Sequence, residues 1–297
     1  MDHKRAGIAA HLMIVGPCIL CAVAGLLVFG CSHDAKADRD ALQMNLRAAF
    51  ENNDQAEMER LLEAGADINA IPDDPLAASM LTDAVVMDNS PMVEFLLKHG
   101  AVPQKDGLGR NLLFYARDKD IARLLIKQGL SLDEADADGR LPLHAVCAGR
   151  KIDSELFKVI LDDGKHVNAK DEKGRTPLYL VCMSSRGDSN LDCAELLIKS
   201  GADVNAGIEN GWPPLAAAAV HPNAKILQML IDHGAEIDFQ DREGNGVLHT
   251  AFFFPGKEEN VPILLKNGAN PDLRNQKGQL YHETGSYRPP AFRGDAE

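Results

Sequence analysis

The sequence predicts a mainly α-helical solenoid of stacked helix pairs, about seven repeats long, with a β-hairpin or turn finger between one pair and the next. Three observations predict it. Glycines at 65, 100, 129, 164, 201, 234 and 268 recur at steps of 35, 29, 35, 37, 33 and 34 residues, and the residues three and four before each are Leu or Ile in all seven. The residue four after each glycine can hydrogen-bond: Asn69, Gln104, Asp133, Asn168, Asn205, Asp238 and Asp272. Upstream, Leu46, Leu81, Leu113, Leu143, Leu178, Leu215 and Leu248 hold one register, each opening a short apolar stretch. A period of roughly 20–50 residues is the mark of a repeat architecture.

Each element of the unit has a physical reason. Pro142 and Pro177 suit the first turn of an inner helix, where the missing N–H costs nothing and the fixed φ is already helical. Small residues follow, such as Ala48, Ala49, Ala145, Ala216 and Ala217, and let that short helix lie close to its neighbour. The Leu/Ile pairs belong to an outer helix that ends at Gly, the residue that takes the left-handed conformation readily. Finger tips reading Asp136-Ala137-Asp138-Gly139 and Asp171-Glu172-Lys173-Gly174 carry turn chemistry. No unit buries its apolar face alone, so the stack shares one core. The units fall at about 41–73, 74–106, 107–137, 138–171, 172–207, 208–241 and 242–276, with 281–297 a C-terminal tail and about 41–280 one domain. Two units depart from the pattern. The third has only Arg117-Asp118-Lys119-Asp120 to join its helices, and the fifth has Ser184 to Asn190 as an extended loop.

Around the leucine register the chain reads Gly139-Arg140-Leu141-Pro142-Leu143-His144, Gly174-Arg175-Thr176-Pro177-Leu178-Tyr179 and Gly244-Asn245-Gly246-Val247-Leu248-His249. Gly201-Ala202-Asp203-Val204-Asn205 closes one unit and Gly65-Ala66-Asp67-Ile68-Asn69 another. These segments resemble the opening and closing motifs of the ankyrin repeat. The resemblance implies protein recognition through the finger tips and the concave inner-helix face. It also implies a structural role for His144 and His249, bonding backbone between repeats, and no cofactor.

Residues 1–30 are set apart as a signal peptide or membrane anchor, with 31–40 a linker. Lys4 and Arg5 precede 25 residues, Ala6 to Gly30, that contain no Asp, Glu, Lys or Arg. The run ends Val28-Phe29-Gly30-Cys31-Ser32, which resembles the lipobox of bacterial lipoproteins, whose Cys is acylated. A stretch of that length can also span a bilayer, so a lipid on Cys31 and a single N-terminal anchor both stay open. Either way the basic start and the acidic stretch after it put the remainder outside the cytoplasm. The expected place is the periplasm-facing envelope. Ser32, by analogy with that family, favours the outer membrane.

With 44 acidic against 31 basic residues the chain carries a formal −13, which excludes a general nucleic-acid binder. Cys147, Cys182 and Cys193 have no zinc-site spacing, and no metal site is expected. In an oxidising compartment Cys182 and Cys193 are the one pair placed for a bridge. No nucleophile elbow, P-loop, metalloprotease or dinucleotide motif is present in the sequence.

The expected function is therefore a non-enzymatic scaffold for a protein partner. An immunity protein that neutralises a secreted toxin enzyme is the alternative, and an envelope hydrolase a remote one. Just after the finger glycines stand Arg110, Arg140, Arg175 and Trp212, which stacking would align in a row. Phe253 and Phe254 follow an Ala251-Phe252 pair expected to be buried, and would approach the same side. Arg and Trp are enriched at interface hot spots. These six residues are the expected partner contacts, and the arginines point to a partner with an acidic surface.

Overall fold

A computed structural model describes residues 35–71, 78–149, 153–161, 164–184, 188–208, 211–221, 224–254 and 257–284. Among them the regular elements are all helical. The inner series is α1 (Ala35–Glu51), α3 (Met80–Val86), α6 (Pro142–Ala148), α8 (Pro177–Met183), α10 (Pro214–Ala219) and α12 (Val247–Phe253). The outer series is α2 (Gln55–Glu63), α4 (Ser90–Lys98), α5 (Lys119–Lys127), α7 (Ser154–Leu161), α9 (Asp188–Lys199), α11 (Ala224–Asp232) and α13 (Lys257–Lys266). Two 3₁₀ turns, Leu112–Phe114 and Tyr281–Glu283, complete the order.

The pattern positions do what their chemistry suggests. All seven register leucines are buried, and so is the residue four before each unit-closing glycine, from Leu61 to Leu264. Those seven glycines all take φ between +80° and +97°, the left-handed region that stops an outer helix. Inner helices lie side by side, α6 on α8 on α10 on α12, and outer helices stack behind them, so one core runs from Leu46 to Ala269.

At five of the seven units the polar position four after the glycine bonds to the next unit. Asn69 donates through Nδ2 to Gly100 O (3.1 Å) and accepts from Val102 N–H (2.8 Å). Asn168 repeats this with Gly201 O and Asp203 N–H, and Asn205 with Gly234 O and Glu236 N–H. At the third unit Asp133 instead meets Lys165 and His166, the latter at 2.6 Å.

Four sequence expectations change. Residues 35–40, read as linker, form the first turns of α1. The third unit has no inner α-helix at all, only its 3₁₀ turn capped by Asn111. The fifth unit's loop is shorter than expected, because α9 begins at Asp188 and Asn190 lies inside it. That buried side chain bonds back to Val181 O and Ser184 O, tying the helix start to the end of α8. Finally, Tyr281 closes the last unit, its ring edge-on to Phe252 at 5.6 Å.

Candidate functional site

Three fingers are closed by the same device. An Asp sits four residues before the Arg, at 106, 136 and 171. Its Oδ1 accepts the backbone N–H groups two and four residues on, for Asp136 from Asp138 (3.0 Å) and Arg140 (2.9 Å), and for Asp171 from Lys173 (3.0 Å) and Arg175 (2.8 Å). That is the Asx-turn chemistry short acidic side chains favour. Its Oδ2 takes the Arg Nε, at 2.7 Å in Asp106–Arg110, 3.1 Å in Asp136–Arg140 and 2.7 Å in Asp171–Arg175. Tyr115 adds its hydroxyl to Asp106, and these donors hold the Asp106 carboxyl down at about 2 despite the opposing effect of burial. Burial and the same bond push Tyr115 up to about 12.

Adjacent tips touch edge to edge. Ala137 N–H donates to Leu108 O, Glu172 N–H to Asp138 O and Gln276 N–H to Glu243 O, at 2.8–3.0 Å. The approach needs glycine at Gly244, where a Cβ would lie 2.9 Å from Gln276 N and φ is +76°.

The arginine row of the sequence analysis is thus real in register but occupied. Arg110, Arg140 and Arg175 are each neutralised by their own Asp, which blunts the expected preference for an acidic surface. Trp212 stands in the same register and requires a correction. It is 0% exposed, part of the core. Its finger has Ile208 where the three arginine fingers have Asp, and Ile208 N–H bonds Trp212 O across the turn while both side chains join the apolar core. The two fingers that follow use amides, Asn245 after Asp241 and Gln279 after Asn275.

Phe253 is 39% exposed and meets Phe254 edge-on at 5.2 Å. The structure does not bring this pair to the arginines. Fingers join inner helices at their N-terminal ends and the Phe pair lies at the C-terminal end of α12. A seven-residue helix separates the two levels by about 10 Å. Phe252, expected to be buried, is only half-buried. Cys31 and the whole N-terminal segment lie outside the described residues. Among the described residues no helix is long and apolar enough to cross a membrane.

His144 and His249 each use both ring nitrogens on backbone. His144 Nδ1 accepts Leu141 N–H (3.1 Å) and its Nε2 meets Ala169 O (3.0 Å); His249 does the same with Gly246 N–H and Gln279 O. Burial lowers both below the ordinary histidine value, and lowers His221 likewise, against the raising effect of their carbonyl partners. A lowered folded value means the unfolded chain takes the proton first, so this stability is complete above about pH 6.5 and drains as pH falls below it. The thermal midpoint is expected to drop between pH 7 and pH 5. A flat profile there would show that the imidazoles are not held neutral.

Cys147, Cys182 and Cys193 are all free and buried, with no bridge between the last two. Burial pushes the thiols up, Cys193 to about 12. Among the described residues no three metal-ligating side chains are placed to hold an ion.

Comparison with known proteins places this geometry among relatives. A family model of ankyrin repeats in three copies matches residues 112–208 and 187–275. The human SH3 and multiple ankyrin repeat domains protein 2 is 31% identical over 227 residues, 74% of this chain and 10% of that protein. Phosphocholine transferase AnkX of Legionella pneumophila is 34% identical over 89 residues, 30% of this chain and 8% of that protein. The chain therefore spans a tenth or less of these two relatives' lengths. The solved ankyrin repeat domain of Bcl-3 overlays with a TM-score of 0.55 at 24% identity, covering 74% of this chain and 96% of that one, a likeness of fold.

Proposed function

Because this chain belongs to the ankyrin-repeat family, we propose that it is a non-enzymatic protein-binding scaffold that holds its partner against the finger tips and the concave inner-helix face. One observation carries the reading: adjacent fingers are each closed internally and bonded tip to tip, which yields a preorganised ridge rather than a set of loose loops. A rigid ridge loses little conformational entropy on binding. The exposed tip residues Ala137, Asp138, Glu172 and Lys173 are of mixed charge, so shape and local pairing rather than one sign select the partner. His144 and His249, the histidines of the opening motifs, are committed to backbone on both ring nitrogens. Tethering at the periplasm-facing envelope is part of this reading. It is supported by the basic start, the uncharged run and Cys31 in the sequence.

The test is photo-crosslinking in intact cells from a benzoyl-phenylalanine at position 138 or 172, with position 265 on the outer helix α13 as control. Adducts from the tips alone are expected, and one partner in stoichiometric yield would mark a dedicated inhibitor. Adducts from position 265 alone would overturn the reading. In the same cells Cys31→Ala should abolish acylation and membrane recovery. An intact, unacylated wild-type N-terminus would replace the lipid with a spanning anchor.

A further inference from the structure

Each end of the stack lacks a neighbour, and the two ends meet that lack differently. On the outer helices the residues eight and seven before the closing glycine point opposite ways along the array. In the first unit they are Glu57 and Met58, and Met58, whose one neighbour lies ahead, is the buried one. Glu57 faces outward, its side chain 40% exposed and paired with Arg60 at 2.6 Å. In the last unit they are Asn260 and Val261. Asn260 points back, donating through Nδ2 to Ala219 O (3.1 Å) and His221 O (2.9 Å) of the sixth unit. Val261 therefore points forward, where no further outer helix stands among the described residues.

The forward positions record the difference. From Met58 to Leu227 the six earlier counterparts of Val261 are 0% exposed, whereas Val261 is half-buried. Leu265 lies four residues on, on the same helix face. It is 37% exposed, while its six counterparts are buried or half-buried. The matching place on the inner helices is buried in α1, α3, α6, α8 and α10, from Phe50 to Ala219. In α12 it is Phe252, half-buried, with the Tyr281 ring against it. The next register place holds His282, exposed, in place of leucine. After Leu280 the sequence has no Leu, Ile, Val or Met with which to continue the core. The forward end is thus the unit-to-unit interface carried one face too far, where a terminal unit ordinarily turns a polar side outward.

We propose that this end face, made by Phe252, Val261, Leu265 and Tyr281, docks a second copy of the chain, forward face to forward face about a two-fold axis. None of the four residues is charged, so two identical faces meet without opposing like charges. The alternative of forward face against first unit would bury Glu57 and Arg60 on apolar side chains, which burial of unmatched charge disfavours. Such a head-to-tail contact would also repeat without end, whereas a two-fold contact closes at two copies. Meeting end-on keeps most of the two net charges of −13 farther apart than the screening length of about 8 Å. The pair carries two finger rows, so a partner with two like sites is held at both. The interface is separate from the finger tips and does not depend on what they hold.

The experiment weighs the full chain in nonionic detergent by light scattering, with the detergent mass subtracted. Twice the chain mass is expected. Leu265→Glu puts a carboxylate into each copy's face and should weaken self-association at least tenfold. Glu57→Ala, at the opposite end, should leave it unchanged. Far-ultraviolet circular dichroism checks the fold, and Leu265→Gln takes the place of Leu265→Glu if that spectrum changes. Removing residues 285–297 should leave the pair intact. A wild type of single mass, a pair undiminished by the substitution at 265, or a chain that pairs only once 285–297 are removed would overturn the proposal. In the crosslinking cells position 265 should give a self-adduct, whose doubled mass tells it from any partner adduct. If the chain is single while tip adducts at 138 or 172 persist, the scaffold reading stands and this interface alone falls.

Discussion

Leu178→Ala is expected to lower the unfolding free energy by about 2–5 kcal/mol, the usual range for a buried Leu truncated in a core. Leu178 is fully buried on α8, which packs against α6, α9 and α10 in the middle of the array. The loss combines the transfer free energy of the missing carbons with the cavity they leave. Stability in a stack passes only between neighbours, so a weak fifth unit should also uncouple the two ends. Circular dichroism should then show a broadened or two-step melt. The single Trp, in the sixth unit, reports the C-terminal step by fluorescence. An unchanged midpoint would place Leu178 outside the shared core.

Trp212→Ala is expected to cost about 3–5 kcal/mol, because the whole indole is lost from a packed interior. Trp212 Nε1 makes no hydrogen bond among the described residues, so the cost is one of packing. The outcome separates two roles for the residue. A surface anchor would weaken partner binding and leave the melt untouched, whereas the structure requires the melt to fall. A variant as stable as wild type would restore Trp212 to the binding face.

How much was legible follows from which residues decide each feature. The core was readable because burial depends on side-chain type at a fixed period, and Leu or Ile at repeating positions says so directly. The unit-to-unit bonds of Asn69, Asn168 and Asn205 were half legible: their polarity was evident, their acceptors one unit away were not. The arginine row was misjudged by weighing Arg alone. The signal was present four residues earlier, since Asp106, Asp136 and Asp171 precede the three arginines that are stapled. Ile208 in that same place marks Trp212 as the one that is not. The third unit was seen to be short, but its leucines did not reveal that an inner helix had become one turn. That depends on how far four joining residues can reach.

The joints between units have a bearing on how the array can be edited. Where Asn168 and Asn205 meet the next unit, both use the same two bonds, to a glycine carbonyl and to the N–H two residues beyond it. They are interchangeable parts, so excising or duplicating one whole unit there leaves a matching seam. The seam between the third and fourth units is keyed instead, its Asp133 fitted to Lys165 and His166. Units on either side of it cannot be shuffled without carrying both halves of the key. The short unit therefore has a fixed address in the array.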